Sequence, residues 1–116
     1  MSAHLAYDGD DFYCDVAIPG AGELEVVVED HLTLAYHHTR PLWETHIVVV
    51  PVRHLASLTT VTSADERDVR ALLEVVQRVA RQVEAANGAA AVLTNLGSYQ
   101  DSKHLHVHSG GRRTAR

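Results

Sequence analysis

The sequence predicts an α+β domain built from one long helix and several short β-strands. Residues 64–86 repeat apolar side chains at helical spacing, which is typical of an amphipathic helix. Other segments are short, rich in β-branched residues and bounded by Gly, Pro, Asn or Asp, which is typical of strands. A chain of 116 residues suffices for one compact domain and is too short for two ordinary ones. We therefore predict a single domain over residues 1–116.

The charge balance excludes several classes of function. The chain carries 15 Asp and Glu against 10 Lys and Arg, so its formal net charge is −5. A protein that coats nucleic acid or an anionic membrane needs the opposite balance, so we expect neither partner. A single cysteine, Cys14, rules out an intramolecular disulfide, and no signal peptide or long apolar segment is evident. These features predict a soluble, cytoplasmic protein.

The first half of the chain predicts a short N-terminal element followed by three strands. Residues 1–19 are polar and mixed, with a few apolar residues able to pack a short piece on the domain. Residues 23–29 and 32–37 are predicted to form a hairpin across a tight turn at Asp30 and His31. Residues 45–51 are the most β-prone segment, and their unbroken apolar character indicates a central strand covered on both faces.

The second half predicts the helix and two further strands. Ser63 and Glu66 have the spacing of a capping box, and Asn87 with Gly88 is typical of a helix C-terminus, so the helix is predicted at residues 64–86. Residues 90–95 are predicted to form a fourth strand, and a loop leads from there to a fifth strand containing three histidines. Residues 110–116 are polar and basic, and we predict that they form a frayed tail.

The three histidines of the fifth strand form the most informative pattern. His104, His106 and His108 are spaced two apart, with Leu105 and Val107 between them. On a strand, alternate side chains share a face, so the imidazoles would lie on one face, with successive Cα atoms about 6.5–7 Å apart. Leu105 and Val107 would point the other way, into the core.

A His-x-His-x-His strand has two functional interpretations that the spacing leaves open. Imidazoles two apart can bind one Zn²⁺ ion. Alternatively, a neutral imidazole can attack phosphorus while its neighbours donate hydrogen bonds and move a proton. A solvated polar strand face is the third reading, although alternation within an apolar strand argues against an affinity tag.

The wider sequence resembles the histidine triad (HIT) superfamily, whose signature is three alternating histidines on a C-terminal strand. The segment 40–54 matches the family's upstream Pro, the His that opens a strand ending in Pro, and the later His. Asn95 before Gly97 and Gln100, four residues before the first triad histidine, also match. The resemblance runs over about residues 23–111, which we take as the core of the domain.

The resemblance implies a five-stranded antiparallel sheet with one long helix, often paired as a homodimer. It also implies nucleotidyl hydrolase or transferase chemistry on an α-phosphate, through a covalent nucleotidyl-histidine. By position, His106 corresponds to the nucleophile, His104 and His108 to its supporting neighbours, and His46 to the histidine that contacts the triad. Gln100 and Asn95 would bind phosphate oxygens or the bridging atom.

Three positions depart from the family pattern. Asp101 stands where many members have Ser or Thr facing the phosphate, so the resemblance passes that role to Ser102. His38 stands eight residues before His46, where members usually hold the ribose hydroxyls with Asp or Asn. Ser109 begins the pair that replaces the two hydrophobic residues after the triad. These departures put the nucleoside preference in doubt.

No metal or cofactor is expected. Some bacterial members carry a Cys-x-x-Cys zinc motif near the N-terminus, but the segment after Cys14 lacks the second Cys. We interpret Cys14 as an inert small side chain with no basic neighbour. His37 and His54 are interpreted as surface or loop residues, and Trp43 as plugging its loop onto the core rather than walling a pocket.

The sequence therefore predicts an enzyme of the HIT type that cleaves a nucleoside phosphoramidate or related nucleotide without a metal. A dinucleoside polyphosphate hydrolase is an activity of the same type. The alternative, motivated by His38, Asp101 and Ser109, is a non-catalytic HIT-like module that binds a nucleotide or a metal.

Overall fold

The computed structural model of the protein describes residue 9 and residues 11–114, with 112–114 described by their main chain alone. Five strands and one long helix follow one another along the chain. They are β1 (Val26–Glu29), β2 (Thr33–His37), β3 (Trp43–Pro51), α1 (Glu66–Asn87), β4 (Ala91–Leu93) and β5 (Val107–Thr114). Short helical turns lie at Tyr13–Ala17, Ala21–Glu23, Ser63–Asp65 and Gly97–Tyr99.

The strands form one antiparallel sheet in the order β1-β2-β3-β5-β4. The prediction of an α+β fold with a five-stranded antiparallel sheet and one long helix is therefore confirmed. The predicted hairpin is also present, and the Asp30 carboxylate stabilises its turn by accepting hydrogen bonds from the main-chain N–H groups of Leu32 and Thr33 at 2.8 and 2.9 Å.

The central strand β3 is covered on both faces, as its apolar sequence predicts. Ile47 and Val49 pack against the apolar face of α1, together with Leu105 from the segment before β5. Val48 and Val50 point to the other face. There the predicted N-terminal element packs as a helical turn, burying Tyr13 and Ala17. This second layer brings residues near the N-terminus up to the triad.

The helix begins later, and is capped earlier, than the sequence predicts. The side chain of Thr62 accepts from the N–H of Ala64 at 3.3 Å, and the carboxylate of Asp65 accepts from the N–H of Thr62 at 3.0 Å. The capping box is thus one residue before the predicted pair, because a short 3₁₀ turn precedes α1. Gly88 ends the helix with φ +82° and donates to Glu84 at 2.8 Å, as predicted.

The predicted histidine strand needs two corrections. β5 begins at Val107, so His104 and His106 precede the ladder instead of lying within it. At its other end β5 continues to Thr114, so the prediction of a frayed tail is wrong for residues 110–114. Residues 115–116 of the predicted tail lie outside the described residues. Gly110 and Gly111 pair with β3, and the ladder to this neighbouring strand orders a segment whose polar composition alone suggested a tail. Leu105 is buried in the core, and Val107 packs against it, as predicted.

No helix in the described part of the chain is both long enough and apolar enough to cross a membrane.

Candidate active site

A cavity of about 480 Å³ opens beside the triad. Six of the eight side chains that the sequence singles out line it, namely His38, His46, Asn95, Ser102, His106 and His108. The other two, His104 and Gln100, are buried and are not among its described lining residues. The fold thus brings together residues from the β2–β3 connection, from β3 and from both sides of the 97–103 loop.

The hydrogen bonds of His106 determine which of its ring nitrogens carries the proton. Nδ1 lies 2.7 Å from the main-chain oxygen of His104, and a carbonyl oxygen only accepts, so Nδ1 is the protonated atom. In the neutral ring Nε2 then holds a lone pair. Burial lowers the pKa of His106, which outweighs the opposing effect of the His104 hydrogen bond, and the neutral ring is favoured. His106 therefore has the state that a nucleophile needs.

His46 and His108 form a second directed chain of hydrogen bonds. The N–H of Leu42 donates to Nδ1 of His46 at 3.0 Å, so the proton of the neutral His46 ring is on Nε2. That Nε2 lies 2.8 Å from Nδ1 of His108 and donates to it. The remaining proton of His108 is then on Nε2, which makes His108 a hydrogen-bond donor at the cavity.

The pKa values of both rings favour these neutral forms. Burial, together with the neighbouring His38, lowers the pKa of His46 to about 4. Burial also lowers the pKa of His108 to about 3, with further contributions from His106, His46 and His38. At pH 7 the site therefore presents neutral imidazoles whose protons are placed by their hydrogen-bond partners.

His104 points away from the cavity although it belongs to the triad. Its side chain is 0% exposed, and Nε2 donates to the main-chain oxygen of Pro51 at 2.8 Å. Its main-chain oxygen accepts from His106, so it positions the neighbouring ring through the backbone.

Gln100 also supports the site from behind. Its side-chain amide donates to the main-chain oxygen of Ala56 at 2.7 Å and, over a longer distance of 3.4 Å, to that of His104. In this conformation the amide of Gln100 connects the loop to the core. Asn95, Ser102 and Asp101, the last of which departs from the family pattern, line the cavity.

His38 and Trp43 shape the end of the cavity near His46. The His38 ring stacks on His46 with 4.3 Å between centroids, and its Nδ1 accepts from the N–H of Arg40 at 2.9 Å. Trp43 meets His46 edge-on at 4.7 Å, and both side chains line the cavity. The interpretation of Trp43 as a core residue is therefore wrong, because its ring lies over Gly110 of β5 and walls the site.

The N-terminal segment supplies a wall that the sequence did not reveal. Phe12 and Tyr13 line the cavity, and the Tyr13 ring lies 4.8 Å from His106 and 5.7 Å from His104. Their contribution depends on contacts with residues about 90 positions later, for which no spacing pattern exists. Only the apolar character of this segment hinted that it packs on the domain.

A second group of side chains lies behind the triad and can hold a metal ion. One ligand atom each from Asp11, Cys14, His54 and His104, hereafter the Asp–Cys–His–His cluster, lies within 4.8 Å of each of the others. The sulfur of Cys14 is 3.3 Å from Nδ1 of His104 and 3.7 Å from Nδ1 of His54. The Asp11 carboxylate is 2.6 Å from His54 and 3.3 Å from His104.

This cluster corrects the interpretation of Cys14 made from the sequence. Cys14 does have basic neighbours, because packing joins segments 40 and 90 residues apart. His54 is exposed and lies in the loop after β3, as predicted, with its Nδ1 3.7 Å from the Cys14 sulfur. Burial, followed by the effect of Asp11, raises the pKa of the Cys14 thiol to about 11. Without an ion the thiol is therefore protonated at pH 7, and a metal would have to displace that proton.

Another set of possible metal ligands is less suited to an ion. It consists of the three histidines His38, His46 and His108. Its ring nitrogens also lie within 4.8 Å of one another. However, the N–H groups of Arg40 and Leu42 already donate to Nδ1 of His38 and His46, which places protons on the opposite nitrogens. The Asp–Cys–His–His cluster is therefore the candidate metal site.

The chain is similar in sequence to several known proteins. The model of the HIT domain family matches residues 22–115. A 14 kDa zinc-binding protein of Zea mays is 36% identical over 92 residues, which cover 75% of this chain and 71% of that protein. The purine nucleoside phosphoramidase of Escherichia coli is 25% identical over 91 residues, covering 76% of each chain.

Among solved structures, a HIT family hydrolase from Legionella pneumophila superposes with a TM-score of 0.76. It is 26% identical, and the match covers 89% of this chain and 93% of that one. The family match spans most of the chain and contains the whole triad, with the five-stranded sheet that supports it. The chain therefore belongs to the HIT domain family.

Proposed function

We propose that this protein is a nucleotidyl hydrolase or transferase that acts on the α-phosphate of a nucleoside phosphoramidate or related nucleotide. The observation that carries the proposal is the hydrogen bond from Nδ1 of His106 to the His104 carbonyl. It leaves the lone pair on Nε2 of a buried, neutral ring at the cavity, which is the atom that must attack phosphorus.

The reaction runs in two steps. Nε2 of His106 forms a bond to the α-phosphorus as the bond to the leaving group breaks, giving a nucleotidyl-histidine. Water, or another acceptor in a transferase, then attacks the phosphorus and restores the free imidazole. His108 donates from Nε2 to a phosphate oxygen or to the leaving group, while His46 holds it in the required tautomer. Asn95 and Ser102 line the cavity and supply further polar contacts.

The comparisons support this choice of substrate. A relative named as a purine nucleoside phosphoramidase is 25% identical to this chain over 91 residues. A phosphoramidate also suits the site chemically, since its leaving group is an amine that must gain a proton. His108, the hydrogen-bond donor at the cavity, passes its Nε2 proton to the leaving amine, and the water that attacks in the second step returns a proton to it.

A covalent adduct on His106 is the decisive test. Adenosine 5′-phosphoramidate would be mixed with the protein, the reaction quenched in base within one turnover, and the intact mass measured. We expect an added adenylyl group, located by peptide mapping on His106 and absent from His106→Asn. His31→Asn, which changes an exposed turn histidine, is the matched control. Turnover by wild type without an adduct at any quench time, with activity retained in His106→Asn, would exclude the covalent mechanism.

The second candidate function is that of a binding module. The departures at His38, Asp101 and Ser109 favour a non-catalytic nucleotide-binding module, and failure to turn over any nucleoside phosphoramidate while binding the monophosphate would support it. The Asp–Cys–His–His cluster favours zinc binding, as does the name of the Zea mays relative. Equilibrium dialysis against Zn²⁺ tests this, and one ion per chain, lost in Cys14→Ala, is the expected result.

A further inference from the structure

The proposed nucleophile lies just outside the sheet that supports it. β5 begins at Val107, so the main chain of His106 belongs to the segment that precedes the strand. On the neighbouring strand, β4 ends at Leu93, which pairs with His108. The same register continued by two residues would set Asn95 opposite His106, but the ladder between the described strands stops before that pair. The main chain of His106 is therefore beyond the ladder pairing that holds His108.

The hydroxyl group of Thr94 supplies a contact at this place. It donates to the main-chain oxygen of His106 at 2.6 Å. A carbonyl oxygen only accepts, so the direction of the bond is fixed, and the distance is at the short end of the range for a hydroxyl donor. Thr94 is half-buried and directly follows β4. A side chain thus continues the contact between the two segments beyond the end of the backbone ladder.

Thr94 also connects the nucleophile to a polar side chain of the cavity. The next residue, Asn95, lines the cavity, whereas Thr94 is not among the described lining residues. Thr94 can therefore act on a substrate only through its neighbours. Its hydroxyl group holds the segment that carries His106, and its main chain leads directly to the amide of Asn95.

His106 is held at two different points. Nδ1 of its ring donates to the main-chain oxygen of His104 at 2.7 Å, and its own main-chain oxygen accepts from Thr94. The residue between the two histidines is fixed as well, because the N–H of Leu105 donates to the main-chain oxygen of Leu55 at 2.6 Å. Individual hydrogen bonds thus tie this segment to the domain, and loss of the Thr94 bond would release the end that carries the nucleophile.

We propose that Thr94 is a positioning residue, which fixes the main chain of His106 so that Nε2 points at the α-phosphorus. The inference rests on the proposed function of the preceding section. It adds no chemical step: Nε2 forms the bond to phosphorus as the leaving group departs, and Thr94 exchanges no proton with the substrate.

A small displacement of the nucleophile is enough to slow the reaction. A shift of about 1 Å in a reacting group can lower the rate about 10²-fold. Thr94→Val replaces the hydroxyl group by a methyl group of similar size, so it removes the hydrogen bond with little change in shape. The main-chain oxygen of His106 then loses its donor, and it regains one only if the segment moves.

The test compares wild type with Thr94→Val, Thr94→Ala and Thr94→Ser, all as the full chain. Thr60→Val is the matched control, because the hydroxyl group of the exposed Thr60 also donates to a main-chain oxygen, that of Ser57 at 3.1 Å. Three quantities are measured. They are the single-turnover rate of adduct formation from adenosine 5′-phosphoramidate, the affinity for AMP by calorimetry, and the ¹⁵N spectra of the histidine side chains, which report the tautomer of His106.

We expect Thr94→Val to form the adduct about 10- to 100-fold more slowly than wild type, with a much smaller loss of AMP affinity. The Nδ1 and Nε2 signals of His106 should become less distinct, because the ring is no longer held against the His104 carbonyl. Thr94→Ala should behave in the same way, and Thr94→Ser should recover most of the rate. Thr60→Val should match wild type in all three measurements.

The outcomes separate positioning from a general effect on the fold and from the proposed function. Adduct formation at the wild-type rate in Thr94→Val and Thr94→Ala, or a rate in Thr94→Ser as slow as theirs, would overturn the proposal. An equal loss in Thr60→Val, or a loss of AMP affinity as large as that of rate, would do the same. Should Thr94→Val not fold, Thr94→Ala and Thr94→Ser still decide the question. If wild type forms no adduct, the proposed function fails, and the His106 spectra of these variants still show whether Thr94 orients the ring.

Discussion

The Nδ1 atom of His106 lies 2.7 Å from the main-chain oxygen of His104, two residues earlier in the chain. This contact assigns the proton of the His106 ring and leaves Nε2 as the basic atom. The two histidines face different surroundings: the side chain of His104 is fully buried behind the site, whereas His106 lines the cavity.

His106→Asn should abolish turnover, because no lone pair of comparable nucleophilicity replaces Nε2. We expect kcat/KM for adenosine 5′-phosphoramidate to fall at least about 10³-fold. The circular dichroism spectrum should stay unchanged, and His106→Ala should behave in the same way. His31→Asn serves as the control and should retain wild-type kinetics. Near-wild-type turnover in His106→Asn would contradict the assignment of the nucleophile.

The free energy of unfolding should decrease as pH falls from about 6.5 toward 4. The pKa of His46 is lowered to about 4 and that of His108 to about 3 in the folded protein, mainly by burial, against an ordinary value of 6.5. The unfolded chain therefore binds protons first as the pH falls, and the stability contributed by the neutral rings is present above 6.5 and lost below it.

Urea denaturation at a series of pH values measures this effect. His46→Phe removes one titrating ring, so its unfolding free energy should depend less steeply on pH between 6.5 and 4 than that of wild type. Equal slopes for wild type and His46→Phe would mean that His46 is not held neutral by the fold.

His38→Asp should increase the preference of the site for ribonucleotides over deoxyribonucleotides. Because the N–H of Arg40 donates to Nδ1, the neutral His38 ring carries its proton on Nε2, whereas a carboxylate accepts from both ribose hydroxyls. Calorimetric affinities for AMP and deoxy-AMP in both proteins test this. A wild type that strongly prefers ribose, with the preference lost in His38→Asp, would identify His38 as a specific ribose ligand and overturn the prediction.

Gly110→Ala should destabilise the protein and disturb the cavity. A Cβ at this position would lie 2.0 Å from the Trp43 ring, so the ring must move away from β5. Overpacking of this kind costs about 1–3 kcal/mol. Gly22→Ala is the matched control, because its Cβ would meet nothing within 4 Å. Thermal denaturation and Trp43 fluorescence report the two effects, and equal stability of both variants would refute the close packing.

We propose that the protein is a homodimer in solution. The edge strand β4 presents exposed Val92 and Leu93, with Leu96 exposed just after it, and an unpaired edge with apolar side chains is suited to association. Light scattering should give twice the mass of the chain at micromolar concentration, and Val92→Lys should shift the mass toward the monomer. A monomer at all micromolar concentrations would count against the proposal.

Much of the fold could be predicted from the sequence because its signals are local. The helical repeat of apolar residues predicted α1 to within about two residues at each end, and short β-branched segments located β1 to β4. The triad spacing placed Leu105 and Val107 toward the core. Each of these signals depends on residues only a few positions apart. Over that range the helix or strand repeat determines which side chains lie on the same face of the element.

The features that required the folded chain depend on contacts between distant segments. The strand pairing that extends β5 to Thr114, the packing of Trp43 on Gly110 and the protonated nitrogen of His106 follow from partners that no spacing reveals. Cys14 was interpreted as isolated because its histidine neighbours lie 40 and 90 residues away. These side chains come together because the N-terminal layer packs on the sheet. The periodicity of the sequence does not indicate which polar atoms that packing brings within bonding distance.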